Sequence, residues 1–336
     1  MRRTAITLAI VLAAVAQSAQ AEPVLMKFAF PAPAGSWVNV GGVTPWSKDV
    51  EAAADGLIEI KLFPGPALAN FTNVYDRVIN GVVEMGFGTI GNVINHAKSD
   101  VSNLPYAVEN DSYAMTMALW RMNASGVTAS DFERIKPLAI FTFSSSNLHT
   151  NKPVKSAEDL KGLKIASAGK VGAQALNLLG AAPVTMTPPE TYLSIQRGLA
   201  AGTTMSWPWV TVYKLQEVAR HHLEVNFGQA PSFLLMNRDV FARLPEKAQA
   251  AIDRYSGETY TRRLALAALN ADKDVLIQLQ AMKDQTFSAL TEAETARWKS
   301  VLAPITEEWV RETPDGARVL AAFQDETARA HREPHE

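Results

Sequence analysis

The pattern of apolar and polar positions repeats one rhythm twice. Residues 24–30 read as a strand, and Pro31-Ala32-Pro33-Ala34-Gly35 breaks it. Val43, Trp46, Val50 and Ala53 then share one helical face up to Gly56. Ile58, Ile60 and Leu62 alternate as a strand closed by Pro64-Gly65. Phe71, Val74, Tyr75, Val78 and Ile79 recur at helical spacing before Gly81, and Val83, Met85 and Phe87 alternate before Gly88. This β-α-β-α-β order builds parallel sheets covered by helices.

The rhythm returns further along. Ser156-Ala157-Glu158-Asp159 has the form of a capping box that opens a short turn to Gly162. A strand is predicted over 163–167, a helix over 173–179 stopping at Gly180, a strand over 183–186, a helix over 189–199 and a strand over 203–207. Two such units predict two α/β lobes with a ligand cleft between them. The lobes are expected at 24–146 with 230–265, and at 147–229 with 266–330. A long helical run over 246–285, interrupted only by Gly257, could reach about 50 Å and brace both lobes. A last helix is expected over roughly 292–313, and 331–336 form a polar tail, fraying from about Arg329.

The N-terminus changes the picture. Arg2 and Arg3, an apolar run over 5–16 and Ala19-Gln20-Ala21 follow one another in the order of a secretory leader, 1–21, cleaved before Glu22. The run is too short to span a bilayer, and a periplasmic location is expected. The 336 residues carry 32 Lys+Arg against 34 Asp+Glu. Losing Arg2 and Arg3 takes the charge from −2 to about −4, and a weakly acidic chain without a basic block is a poor nucleic-acid binder. With no cysteine there is no disulfide framework, thiolate metal site or thiol nucleophile.

Candidate chemistry is sparse. Ser167-Ala168-Gly169-Lys170 has the S-x-x-K spacing of serine acyl enzymes, but the companion S-D-N and K-T-G motifs are missing. It is no phosphate loop either, because Val171 stands where Ser or Thr is needed. His221 and His222 are adjacent and point apart on a regular element, and His331 and His335 lie in the polar tail as surface residues. No metal, cofactor or catalytic constellation is expected. The aromatic residues say more. Trp37 follows the first strand, Phe143 sits in the run 141–147 that ends at Asn147, and Trp207-Pro208-Trp209 follows a predicted strand end. Together they suggest an aromatic-lined cleft.

Several ordered motifs resemble the extracytoplasmic solute-binding subunits of TRAP (tripartite ATP-independent periplasmic) transporters, of the DctP type. Ser156-Ala-Glu-Asp-Leu-Lys-Gly-Leu-Lys-Ile165 is similar to that family's "eDLkGlKi". Leu178-Leu-Gly-Ala-Ala-Pro-Val-Thr-Met186 is similar to its "lGa.pv.m", and Glu190-Thr-Tyr-Leu-Ser-Ile-Gln-Arg-Gly198 to "e.Y.alqrG". Lys214-Leu-Gln-Glu-Val218 and Met236-Asn237 continue the pattern, so the resemblance runs from about Leu25 to Leu302. It implies a two-lobed α/β binding protein, a small-molecule ligand, a small and a large membrane subunit as partners, and no chemistry on the ligand. A monomer is expected.

The sequence departs from the family at two points. The arginine that follows "lKi" and clamps a ligand carboxylate is replaced by Ala166, and Ala201 stands for the aspartate of "G.vDG". Ser167, Lys170 and the helix start near Val171 are the substitute donors for an apolar or aromatic acid. The alternatives are an amine boxed by Trp37, Trp207 and Trp209 with Glu190 as counter-charge, or service as a ligand sensor. Glu190 can equally cap its own helix. Thr89 and Phe233 complete the candidate ligand-binding set with Trp37, Phe143, Asn147, Ala166, Ser167, Lys170, Glu190, Trp207 and Trp209.

Overall fold

The computed structural model describes residues 22–90, 98–167, 169–229 and 231–334. The leader expected over 1–21 and His335 lie outside them. Strand β1 (Val24–Phe30) sends Met26, Phe28 and Phe30 into one core and Ala29 into another, as alternation on a strand buried on both faces requires. It pairs in parallel with β2 (Ile58–Pro64) and β3 (Met85–Thr89). Gly88 in β3 has no room for a side chain, since a Cβ would lie 2.7 Å from Phe233 Cζ and 2.7 Å from Val74 Cγ1. Helix Val74–Ile79 therefore packs directly on the strand.

The remaining strands are β4 (Ile135–Phe141), β5 (Asn147–Thr150), β6 (Lys164–Ser167), β7 (Ala182–Thr185), β8 (Gly202–Met205), β9 (His221–Glu224), β10 (Ser232–Asn237) and β11 (Thr286–Ala289). They form two sheets, β2-β1-β3-β10-β4 and β11-β9-β5-β8-β6-β7. Each sheet holds one reversed strand, β10 in the first and β5 in the second, antiparallel to both its neighbours. Both follow directly on a change of sheet. The chain passes between sheets after β4, after β9 and through helix Gly257–Gln280 on its way to β11. The two-lobed α/β architecture is the one expected.

Four local expectations are corrected. Trp207 does not end a strand but starts helix Trp207–Val212, because Pro208 sits in its first turn, where no backbone N–H is needed. The run over 246–285 is two helices, Glu246–Tyr255 and Gly257–Gln280, divided where Gly257 takes φ +76°. The longer one reaches about 36 Å rather than 50. Residues 329–331 are not frayed: helix Gly316–His331 ends with them and buries Val319, Phe323 and Ala330 completely. This helix, grouped with the second lobe from sequence, packs on helix Ser112–Ala124, which leads into β4. Helix Ser112–Ala124 itself escaped the periodicity, because it is buried almost all round and has no polar stripe.

Candidate functional site

The two short segments that cross between the sheets, through 142–146 and 225–229, are tied to one another. Ser146 N–H donates to Gly228 O at 2.9 Å, and Ser145 Oγ donates to Asn226 Oδ1 at 2.7 Å. Ser146 Oγ donates to Gln229 Oε1 at 2.8 Å, and Ser102 Oγ to Gln229 O at 2.8 Å. On the far side, Ser144 Oγ donates to the buried carboxylate of Asp272 at 2.7 Å, on helix Gly257–Gln280. Side chains between these bonds face a cavity of about 90 Å³.

Three of its lining residues, Thr89, Ser167 and Met205, are the last residues of β3, β6 and β8. A site beyond the carboxyl ends of parallel strands is where open α/β sheets hold ligands. The apolar wall is Phe71, Phe143, Trp209 and Phe227. Phe143 makes edge contacts with Trp209 at 5.3 Å and Trp37 at 5.4 Å, and Trp209 stacks on Tyr213 at 5.7 Å. Among the described residues the polar lining is uncharged: Thr89, Asn103, Ser146, Ser167, Thr204, Ser206, Tyr213 and Gln229. Gly169 and Gly172 add backbone. Gly169 is the N-cap of helix Lys170–Leu178 and supplies no capping side chain, so the first N–H groups of that helix are left to other partners. A Cβ on Gly172 would collide with Ser167 Oγ, which bonds Thr204 Oγ1 at 3.3 Å.

Of the residues expected from sequence, Thr89, Phe143, Ser167 and Trp209 line this cavity, and Trp37 stands behind Phe143. The others do not join them. Trp207 packs between His149 at 5.0 Å, His222 at 5.5 Å and Phe287 at 5.8 Å, behind the second sheet. The box of three tryptophans is thus not assembled. Lys170 turns outward, its side chain 65% exposed, to Glu308 and Glu312 at 3.6 Å each. Glu190 accepts from Thr187 N at 2.8 Å and from Thr187 Oγ1 at 2.6 Å, which is helix capping, and these bonds hold its carboxyl below the usual range. Ala166 is fully buried with Ile195, Ala200 and Ala219. Asn147 Oδ1 accepts from Val225 N at 3.0 Å and joins strand ends, and Phe233 packs on Tyr75 at 6.1 Å.

Sequence reasoning missed the floor, Ser146 with Phe227, Gly228 and Gln229, because crossing segments carry no period. Gly228 at φ +74°, pressed on the Asn103 backbone, is the one mark they bear. Tyr213 was legible in principle, four residues after Trp209 on one helical face. Among the described residues no group of three or more His, Asp or Glu is placed to hold a metal ion, and no helix is long and apolar enough to cross a membrane.

Comparisons with known proteins show the family and the fold. The profile of "Bacterial extracellular solute-binding protein, family 7", DctP, matches residues 32–313. The C4-dicarboxylate-binding periplasmic protein DctP of Rhodobacter capsulatus is 26% identical over 328 residues, 92% of this chain and 93% of that one. A TRAP solute-binding protein from Rhodoferax ferrireducens, solved with copurified benzoate, is 25% identical with TM-score 0.86, over 92% of this chain and 99% of its own. A marine-metagenome TRAP solute-binding protein specific for aromatic acids, solved with 3-hydroxybenzoate, is 24% identical with TM-score 0.86 over the same shares, 92% and 99%.

Proposed function

Since the chain belongs to family 7 of the bacterial extracellular solute-binding proteins, the DctP family, we propose that its cavity takes a small aromatic or otherwise apolar monocarboxylate. Members of this family are periplasmic receptors that bind small molecules and work with TRAP membrane subunits. We propose that this chain is exported by a cleaved leader, acts as a monomer, binds no nucleic acid and returns its ligand unchanged. Its working lobes are 24–146 with 230–265 and the C-terminal helix, and 147–229 with 266–315.

The observation that carries the reading is the cavity's composition: among the described residues, five aromatic side chains and a polar lining without charge. A second carboxylate buried there without a cation would cost several kcal/mol, which disfavours small dicarboxylates. One carboxylate is tolerable if several N–H and O–H donors converge on it. The start of helix Lys170–Leu178, Ser167 and Thr204 are suited to that role, with the apolar body against Phe143 and Trp209. The benzoate complex of the Rhodoferax protein and the 3-hydroxybenzoate complex of the metagenomic one support the same class. An amine fits less well, because Glu190 is engaged by Thr187 and Trp207 lies elsewhere.

Titration calorimetry with benzoate, succinate and benzylamine tests this. Benzoate is expected to bind one-to-one, to be recovered intact by mass spectrometry, and to bind more tightly than either competitor. Tighter binding of succinate or benzylamine would overturn the assignment.

A further inference from the structure

Two hydroxyls in the cavity wall have no hydrogen-bond partner among the described residues. Ser206 is the N-cap of helix Trp207–Val212, and Tyr213 is its C-cap. Both line the cavity. Serine at an N-cap ordinarily accepts a bond from the first turn, but Ser206 makes none, and its buried Oγ is unpartnered. The Tyr213 OH is also buried and unpartnered, while its ring is fixed by stacking on Trp209 at 5.7 Å and 21°. Burial pushes this phenol above its usual range, so it stays protonated and able to donate. Buried hydroxyls in folded proteins are nearly always bonded, and one left without a partner in a binding site points to a ligand group.

The other hydroxyls of this lobe's wall behave differently. Thr204 Oγ1 and Ser167 Oγ bond each other beside the helix start that suits a carboxylate. The wall thus has a bonded pair next to the backbone donors and an unbonded pair at the ends of the following helix. We propose that Ser206 and Tyr213 form a second polar subsite, and that the ligand carries, besides its carboxylate, one uncharged hydroxyl or carbonyl group that these residues bind. This rests on the aromatic-acid reading and narrows it to hydroxy- or oxo-substituted acids. Tyr213 and Ser206 are then specificity-determining residues. A site built to bond a substrate hydroxyl rejects the analogue that lacks it, because its own polar groups are left unpaired.

The test compares ligands of matched size. Calorimetry is run with benzoate, with 3- and 4-hydroxybenzoate, and with 3- and 4-methylbenzoate, on wild type, Tyr213→Phe and Ser206→Ala. One hydroxybenzoate should bind at least about tenfold more tightly than its methyl counterpart, the scale of one hydrogen bond from a buried group. Tyr213→Phe should bring that ratio to about threefold or less, and Ser206→Ala should narrow it as well. The melting temperature without ligand should not fall, since neither hydroxyl bonds the protein. A wild type that binds benzoates without preferring either hydroxyl isomer overturns the subsite and leaves the aromatic-acid reading standing. Equal loss of benzoate and hydroxybenzoate in Tyr213→Phe assigns the phenol to the carboxylate and also overturns it. If no benzoate binds the wild type, the aromatic-acid reading itself fails.

Discussion

His149 Nδ1 lies 2.8 Å from His222 Nδ1, so two buried imidazoles face each other across paired strands. The outer nitrogens are held as well, His149 Nε2 by Met205 O at 3.0 Å and His222 Nε2 by Gln285 Oε1 at 2.9 Å. Met205 lines the cavity and Gln285 precedes β11, so the pair fastens the second sheet from the ligand wall to its far edge.

This pair sets an acid limit on stability. Burial, and then repulsion from His222, lowers the His149 pKa to about 3, and burial lowers that of His222. The unfolded imidazoles take up protons near pH 6.5 and the folded ones do not, so stability is full above about 6.5 and is lost as pH falls toward 3. Thermal unfolding between pH 7 and pH 4 should show this loss, with a shallower slope in His149→Gln. An unchanged slope in the variant would assign the loss to other groups.

Asp272 acts with the opposite sign. Burial raises its carboxyl to about 7, against bonds from the Ser144 hydroxyl and backbone N–H that lower it. The unfolded carboxyl titrates near 3.8, so the stability held by the protonated form is lost as pH rises from about 4 through 7. Asp100, also raised to about 7 by burial, adds to the same window. Asp272→Asn keeps an acceptor for Ser144 without the charge. It should melt higher than wild type at pH 8 and about level with it at pH 5.

The two tryptophans of the Trp-Pro-Trp run should separate by assay. Trp209→Ala, in the cavity wall, should weaken aromatic-acid binding by about 1–3 kcal/mol, besides the stability lost with a ring buried against Phe143 and Tyr213. Trp207→Ala should instead lower stability by about 3–5 kcal/mol, since its ring fills the space between His149 and Phe287. Calorimetry and thermal melts on both variants decide it. A larger affinity loss from Trp207→Ala contradicts the geometry.

Lys170→Ala should leave benzoate affinity unchanged and stability within about 1 kcal/mol, as expected for an exposed ion pair. Gly172→Ala should weaken binding by about 1 kcal/mol or more, because the new methyl displaces Ser167 Oγ from Thr204 at the helix start. An affinity loss in Lys170→Ala would bring the lysine back as a ligand donor.

Ala166→Arg should reduce stability rather than extend the ligand range to small dicarboxylates. The position is enclosed by Ile195, Ala200 and Ala219, and a guanidinium there meets overpacking and desolvation together. A melting temperature held at the wild-type value, with new succinate binding, would show that the side chain finds a way to the cleft.

The sequence by itself determined the local elements wherever burial was one-sided or a terminus carried its own chemistry. Alternation over 24–30 and the glycine stops produced strands and helices almost at their observed bounds. The Ser156–Asp159 capping box formed as written, with both Ser156 N–H and Oγ on Asp159. Motif order also led to the family and the two-lobed fold. Tertiary structure decided what a one-dimensional pattern does not hold. Helix Ser112–Ala124 is buried almost all round and the strands β5 and β10 are buried throughout, so no polar period marks them. The binding floor lies in crossing segments 82 residues apart that meet only once both sheets exist, as the bond between Ser146 and Gly228 shows. Direction was decided there too. Trp207 and Trp209 are two residues apart, and helical geometry turns one behind the sheet and the other into the cleft.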